Sequence, residues 1–251
     1  MCTVILLRRP DHAWPLVLAA NRDEMRDRPW TGPGRLWPDR PEVVAGRDDL
    51  AGGSWLGLND HGVVAAILNR HGTLGPADGK RSRGELVLEA LDHADAIEAA
   101  RALADLNPDA YRPFNMVVAD SRDALWLRHA GRGPIEVRPV DEGLWMLTAR
   151  DLNDTADPRI AANLARVRAL PAPDPTRPDG WDAWTAAQGR AADPAAPSAA
   201  AGLCFALDSG FATVSAAQIA LPAPALDGPA PVFRFAPGPP DRTPFAPLPL
   251  D

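Results

Sequence analysis

Two uninterrupted apolar runs near the start of the chain, residues 3–7 and 16–20, constrain the fold more than any other feature of the sequence. A strand with one wet face alternates apolar and polar residues. A strand that is apolar at nearly every position needs cover on both faces. Arg9-Pro10-Asp11-His12 between the runs is turn chemistry, so they pair as a hairpin. If that hairpin is symmetric about Asp11 and His12, paired residue numbers sum to about 23. Cys2 then lies opposite Asn21, within two positions. The polar segment Asn21-Arg22-Asp23-Glu24 leaves its strand beside the start of the chain. Such a segment is either a solvated turn or one wall of a reactive site.

The rest of the chain continues in the same style. Residues 55–58 and 63–68, around Asn59-Asp60-His61-Gly62, read as a second hairpin. Ser82-Arg83-Gly84-Glu85 has the capping-box pattern, with Ser82 as N-cap and Glu85 at N3, ahead of Leu86, Val87, Ala90 and Leu91 at helical spacing. A second helix carries Ile97, Ala100, Leu103 and Ala104 on one stripe. Strands are predicted at 114–119, 124–128, 135–138 and 144–148. Asp157-Pro158 is a cap followed by proline at N1, with Ile160, Leu164 and Val167 as the buried face. A short helix over 179–190 and strands at 211–221 and 232–235 complete the pattern. The order of strands, helices, strands, helices, strands points to α+β, with sheets covered by outer helices and no regular βαβ alternation.

Composition narrows the function. With 46% hydrophobic and 24% charged residues, 251 residues bury a large core without staples, as one large domain or two small ones. The 28 prolines concentrate around 171–197 and in a tail from about 222, which read as loops and extended segments. A formal charge of −7 argues against a nucleic-acid partner. Two cysteines, Cys2 and Cys204, make no disulfide framework. The short run at 3–7 is no signal peptide, and no apolar run reaches membrane-spanning length. The expectation is therefore a cytoplasmic protein with no membrane insertion. The five histidines show no metal-ligand spacing.

Cys2 carries the chemistry. Removal of Met1 would expose a thiol and a free α-amine on one residue. Their unperturbed pKa values, about 8.5 and about 7.7–8.0, let the amine act as base for its own nucleophile near neutral pH. Asp23 could orient that amine, and nearby amides could hold an oxyanion. The bland alternative is a Met-Cys start with no use. Arg22 is placed to pair with Asp23, Glu24 or a substrate carboxylate. Trp14, Trp30 and Trp37, in or beside loops near this site, either wall a ligand pocket or pack on prolines, whereas Trp55, Trp126 and Trp145 read as core. The basic loop Gly79-Lys80-Arg81-Ser82-Arg83-Gly84 suits an anion or is a solvated cap. It is no P-loop, because Leu74 stands where the first glycine is needed.

Met1-Cys2-Thr3, Leu18-Ala19-Ala20-Asn21-Arg22-Asp23-Glu24 and Gly52-Gly53-Ser54-Trp55-Leu56-Gly57 together resemble the NRDE family, that of the animal transport and Golgi organisation protein. The likeness continues through Ala65–Asn69, Ser82–Val87 and Phe114–Asp120 and fades after about Arg150. It implies one domain over 1–251, a four-layer αββα sandwich of two mainly antiparallel sheets of the N-terminal-nucleophile (Ntn) hydrolase type. Choloylglycine hydrolases and penicillin V acylases share that layout. By resemblance Cys2 matches the nucleophile, Asp23 the partner of its amine, and Asn69 an asparagine near the oxyanion. Ala149 and Val214 stand where members commonly have asparagine and arginine. A shift of one position would bring Arg150 to the pocket wall, with Arg22 and Trp30 as further substrate contacts.

Two functional expectations follow. The first is an N-terminal cysteine amidohydrolase for a small non-peptide amide or thioester, requiring no cofactor. The second is a non-catalytic protein that keeps the fold and handles haem or a lipid-linked molecule such as acyl-coenzyme A. In either case the partner is a small molecule.

Overall fold

A computed structural model describes residues 2–225 and 228–250. The first hairpin pairs β1 (Thr3–Arg8) with β2 (Leu16–Met25). β3 (Trp30–Gly34), β4 (Val43–Asp48), β5 (Leu56–Asn59) and β6 (Val64–Asn69) follow, then helices α1 (Glu85–Leu91) and α2 (Ala96–Ala104). Next come β7 (Phe114–Ala119), β8 (Ala124–His129), β9 (Glu136–Pro139) and β10 (Gly143–Leu147). The chain ends with α3 (Pro158–Arg168), α4 (Asp182–Gln188), β11 (Phe211–Leu221), β12 (Val232–Ala236) and β13 (Ala246–Pro247). The strands form two sheets, ordered β10-β1-β2-β11-β12-β13 and β3-β4-β5-β6-β7-β8-β9. All the paired neighbours are antiparallel.

Alternation along β1 and β2 explains the unbroken apolar runs. Val4, Leu6, Leu16, Leu18 and Ala20 point into a central core shared with Leu56, Leu58, Val64, Ala66 and Val117 of the second sheet. Ile5, Val17 and Ala19 point the other way, against Ile160, Leu164 and Val167 of α3 and Trp184 of α4. The outer face of the second sheet packs on Leu86, Val87, Ala99 and Leu103 of α1 and α2. The layers are therefore helix, sheet, sheet, helix, and each central strand is apolar because both of its faces are covered. Trp14 belongs to the outer layer beside α3 and α4, away from the inter-sheet cleft where the sequence suggested it.

Several local expectations change. The polar segment at 21–24 does not end its strand. β2 runs on to Met25 because β11 pairs alongside, with Ala216 opposite Asn21 and Thr213 opposite Asp23. The hairpin expectation holds within its two positions: Thr3 pairs with Asn21, and the same register continued one step sets Cys2 opposite Arg22. The capping box is not made. α1 begins after Gly84, which is already helical, while the Glu85 carboxylate accepts from the Tyr111 hydroxyl at 2.6 Å. In α2 the cap is Asp95, and the buried stripe is Ala96, Ala99, Ala100 and Leu103, which leaves Ile97 exposed. The strands β3, β4 and β13 were not anticipated from the sequence. β12 joins β11 in the first sheet, so the proline-rich stretch beyond Leu221 still contributes sheet structure.

Asn21 ties the end of α4 and the segment at Leu203 to the sheet. Its Nδ2 donates to the carbonyls of Gln188 (3.0 Å) and Leu203 (2.8 Å), and Gln188 Nε2 donates back to Asn21 Oδ1 (3.0 Å). Gly52-Gly53-Ser54-Trp55 has an equally physical role. Ser54 N donates to Gly84 O at 2.9 Å, and a Cβ on Gly53 would lie 2.4 Å from the Gly84 carbonyl carbon. Two stretches of backbone meet there with no room for a side chain. Gly53→Ala is therefore expected to destabilise the protein by about 1–3 kcal/mol. Thermal unfolding followed by circular dichroism checks it, as a drop of several degrees in the midpoint.

Candidate active site

The site grows from the alternation of β2. Arg22 shares the inward parity of Leu18 and Ala20, whereas Asp23 shares the outward parity of Val17 and Ala19. Cys2, opposite Arg22, packs against the central core on the inward side. Thr3 and Asp23 share the outward side, since both meet one guanidinium there. The half-buried thiol touches Asp23 only through the main chain, with Sγ 3.9 Å from the Asp23 carbonyl oxygen. Burial pushes the Cys2 thiol above its usual pKa, with the Asp23 charge adding to the rise and Arg22 opposing it. The neutral thiol is therefore the ground state, and a base is needed to activate it.

On the outward side the Asp23 carboxylate is completely held. Arg159 Nη1, from the first turn of α3, donates to Asp23 Oδ2 and to Thr3 Oγ1, both at 2.6 Å. Thr213 Oγ1 donates to Asp23 Oδ1 at 2.8 Å. Arg159 and Asp23 are both buried. Thr213 reaches this face because the β2–β11 register shifts between Thr213 and Ser215, leaving Val214 as the extra residue. The cation beside Asp23 thus comes from α3, while β11 supplies a hydroxyl. Nothing in the sequence pattern marked Arg159. The available signal was its spacing of four from Asn163, which places two polar residues beside the apolar stripe of α3.

On the inward side an open cleft of about 480 Å³ runs from Cys2 to the loop before α1. Arg22, Arg28, Lys80, Arg81, Arg83 and Arg112 line it, against the carboxylates of Glu24 and Asp48, while Asp23 borders it with its carboxylate turned to the outer side. Arg22 is buried, with its guanidinium carbon 4.2 Å from the centre of the Trp55 ring. Trp55 has room because Gly46 faces it: a Cβ there would lie 2.5 Å from the indole. Trp30 packs edge-on against Trp55 at 5.8 Å, with the Arg22 guanidinium also 5.8 Å from its ring. Arg83 donates only to neutral groups, Thr73 Oγ1 and the Pro113 carbonyl. Burial, then the charge of Arg112, lowers its pKa to about 10. A small void of about 10 Å³ lies behind Cys2, lined in part by Arg22 and Ser215.

The residues singled out in the sequence are distributed as follows. Cys2, Arg22, Asp23 and Asn69 all line the cleft, Asn69 from the end of β6. Trp30 stands one ring behind it. The Arg150 side chain is exposed and outside the lining, and its carbonyl accepts from Asn115 Nδ2 at 2.7 Å. Trp37 is directed elsewhere, with Nε1 donating to Gly52 O at 3.2 Å. The basic loop Lys80–Gly84 forms the wall facing Cys2. Among the described residues no cluster of three or more His, Cys, Asp or Glu is arranged to hold a metal, and no helix is long and apolar enough to cross a membrane.

The two-sheet layering and the strand order define an Ntn-hydrolase fold, and solved structures agree. A Caenorhabditis elegans N-acylethanolamine-hydrolyzing acid amidase ortholog superposes with a TM-score of 0.60 at 13% identity, covering 90% of this chain and 95% of that one. The C2A mutant of conjugated bile acid hydrolase from Clostridium perfringens gives 0.52 at 12% identity, over 99% and 97%. Penicillin V acylase from Agrobacterium tumefaciens gives 0.50 at 14%, over 94% and 83%. At such identities these structures share the fold.

The family model for Transport and Golgi organisation 2 matches residues 1–164, and the chain belongs to that family. The Homo sapiens Transport and Golgi organization protein 2 homolog is 35% identical over 145 residues, 53% of this chain and 51% of the relative. The Mus musculus homolog is 32% identical over 143 residues, again 53% and 51%. This chain spans about half the length of the curated relatives it matches.

The buried pair dictates a stability test. Replacing Arg159 by Met leaves the Asp23 carboxylate buried without its cation, at an expected cost of about 3–5 kcal/mol. Combining it with Asp23→Asn is expected to cost less than the two single changes added together, measured by urea unfolding.

Proposed function

We propose that this chain is an N-terminal cysteine amidohydrolase acting on a small non-peptide amide or thioester after Met1 is removed. The observation that carries this reading is the placement of Cys2. It heads a central strand, its thiol faces an open cleft, and the Asp23 carboxylate is fixed on the other side of the same strand pair. In this reading the freed amine of Cys2 takes the thiol proton, Sγ attacks the substrate carbonyl, and the Asn69 amide is a candidate donor to the oxyanion. The amine then protonates the leaving group, and water hydrolyses the acyl-cysteine. Asp23 orients and supports the ammonium form of the amine without taking its proton. The hydrolases of bile acid conjugates, penicillin V and N-acylethanolamines that share the fold support the choice of an amide substrate.

A second reading rests on the cleft's lining. Its basic residues outnumber its acids, and Ala149 and Val214 remove two expected polar side chains. A carrier that keeps the fold without the reaction would use those cations to hold an anionic ligand, with acyl-coenzyme A and haem as the classes to test. Among the described residues that line the cleft there is no histidine, which favours acyl-coenzyme A over haem as the first class to test.

Mass spectrometry of the mature protein is expected to find Cys2 at the N-terminus, and Cys2→Ala to abolish hydrolysis of an N-acyl amide panel. An intact Met1 in the native protein would overturn the hydrolase reading. Asn69→Ala is expected to lower kcat by about 100- to 1000-fold. The raised thiol pKa sets a pH signature as well. With Met1 retained, alkylation of Cys2 by iodoacetamide rises only above the usual thiol range. With the amine exposed, it rises at lower pH, because the amine accepts the proton. Stopped-time alkylation of both forms across pH separates these cases.

A further inference from the structure

Arg22 holds a feature that the reaction scheme leaves unused. Its side chain is only 5% exposed, yet Nη1 is buried without a hydrogen-bond partner. A buried N–H of a charged group without an acceptor is costly, so the arrangement favours an incoming acceptor. The surrounding acids do not supply one. Asp48 is chelated by Arg28, through Nε at 2.6 Å and Nη2 at 3.0 Å, and stands 3.5 Å from Arg22 Nη2. Glu24 accepts from the Met25 N–H at 2.9 Å and lies 3.9 Å from Arg28. The Trp55 ring covers one face of the guanidinium and holds it in place. Continued one step past Thr3 and Asn21, the hairpin register sets Arg22 across from Cys2, and both residues line the cleft and the small void beside the thiol.

We infer that Arg22 is a specificity-determining anchor for a carboxylate carried close to the carbon that Cys2 attacks. The ligand class is therefore a small organic acid, such as an amide or thioester whose acyl part ends in a second carboxylate. Nη1 donates to that carboxylate as a charge-assisted hydrogen bond, and the fixed guanidinium selects against neutral and cationic analogues. The inference rests on Cys2 being the reactive residue of this cleft. It does not require that the protein complete a hydrolytic cycle.

Alkylation tests it without turnover. Iodoacetate and iodoacetamide form the same thioether bond to Cys2 and expel the same iodide, but only iodoacetate brings a carboxylate. The full chain is treated with each reagent at one pH, and modification of Cys2 is followed by peptide mass spectrometry. The ratio of the iodoacetate to the iodoacetamide rate is expected to exceed that of free cysteine by about tenfold or more, the scale of one charge-assisted hydrogen bond. In Arg22→Gln the ratio falls to the free-cysteine value, while Arg22→Lys retains part of the preference. Circular dichroism and the thermal midpoint confirm that each variant is folded, and Arg22→Lys carries the comparison if Arg22→Gln is not.

A wild-type ratio equal to that of free cysteine overturns the inference, as does a ratio unchanged in Arg22→Gln. A folded protein whose Cys2 reacts with neither reagent overturns it too, because no carboxylate then reaches the guanidinium beside the thiol. If the preference is found and no amide is hydrolysed, the hydrolase reading falls and the anchor stands. If amides are hydrolysed without the preference, the anchor alone falls.

Discussion

The two-residue period of β2 is the constraint on which the site depends. Consecutive residues of a strand face opposite sides of its sheet. Arg22 and Asp23 are neighbours in the chain, yet one opens onto the inter-sheet cleft and the other onto the outer helical layer. The same period puts the Cys2 side chain in the cleft and the Thr3 side chain beside Arg159. One strand pair thus separates the cleft side, with the Cys2 thiol, from a buried side built on an ion pair. A molecule in the cleft would meet Cys2 and Arg22 without disturbing the ion pair that fixes Asp23.

That supporting side is energetically demanding. A buried carboxylate and a buried guanidinium both lose their water, and their attraction offsets this only when the remaining lone pairs and N–H groups are satisfied. Asp23 is satisfied at both oxygens, by Arg159 and by Thr213. The bulge at Val214 makes this possible, because it resets the parity of β11 and turns Thr213 to the outer face while Ser215 stays opposite Arg22.

The sequence displayed this architecture unevenly, for physical reasons. Strands buried on both faces declare themselves as continuous apolar runs, and β1, β2, β6 and β7 were legible in that way. β3 was not, since Trp30-Thr31-Gly32-Pro33-Gly34 reads as a turn, and in β4 only Val43, Val44 and Ala45 precede Gly46-Arg47-Asp48. Hairpin arithmetic brought Cys2 to the polar segment because the loop over residues 9–15 joins two adjacent antiparallel strands and so limits their register. Arg159 lay beyond such reasoning, as its partner is 136 positions away and is met only through the packing of α3 on the sheet. Ser82 and Glu85 show the converse, where a good local pattern loses to a tertiary one because Tyr111 and Arg81 hold the glutamate.

The cleft's electrostatics bear on what kind of molecule can enter. A cavity lined by cations focuses the field and draws in anions even when the protein's net charge is negative, as the formal −7 here is. At its mouth Lys80 and Arg112 donate to backbone carbonyls, which orient them without cancelling their charge. Arg83 shares that condition, and its lowered pKa records first its burial and then the charge of Arg112. Deeper in, Arg28 takes up Asp48, and beside the thiol Arg22 keeps a buried N–H free. The gradient runs from exposed cations to a fixed guanidinium next to Cys2. On the reading proposed above, an anion would be gathered at the mouth by charge and sorted at the thiol by geometry, because beside Arg22 water competes least for the donor.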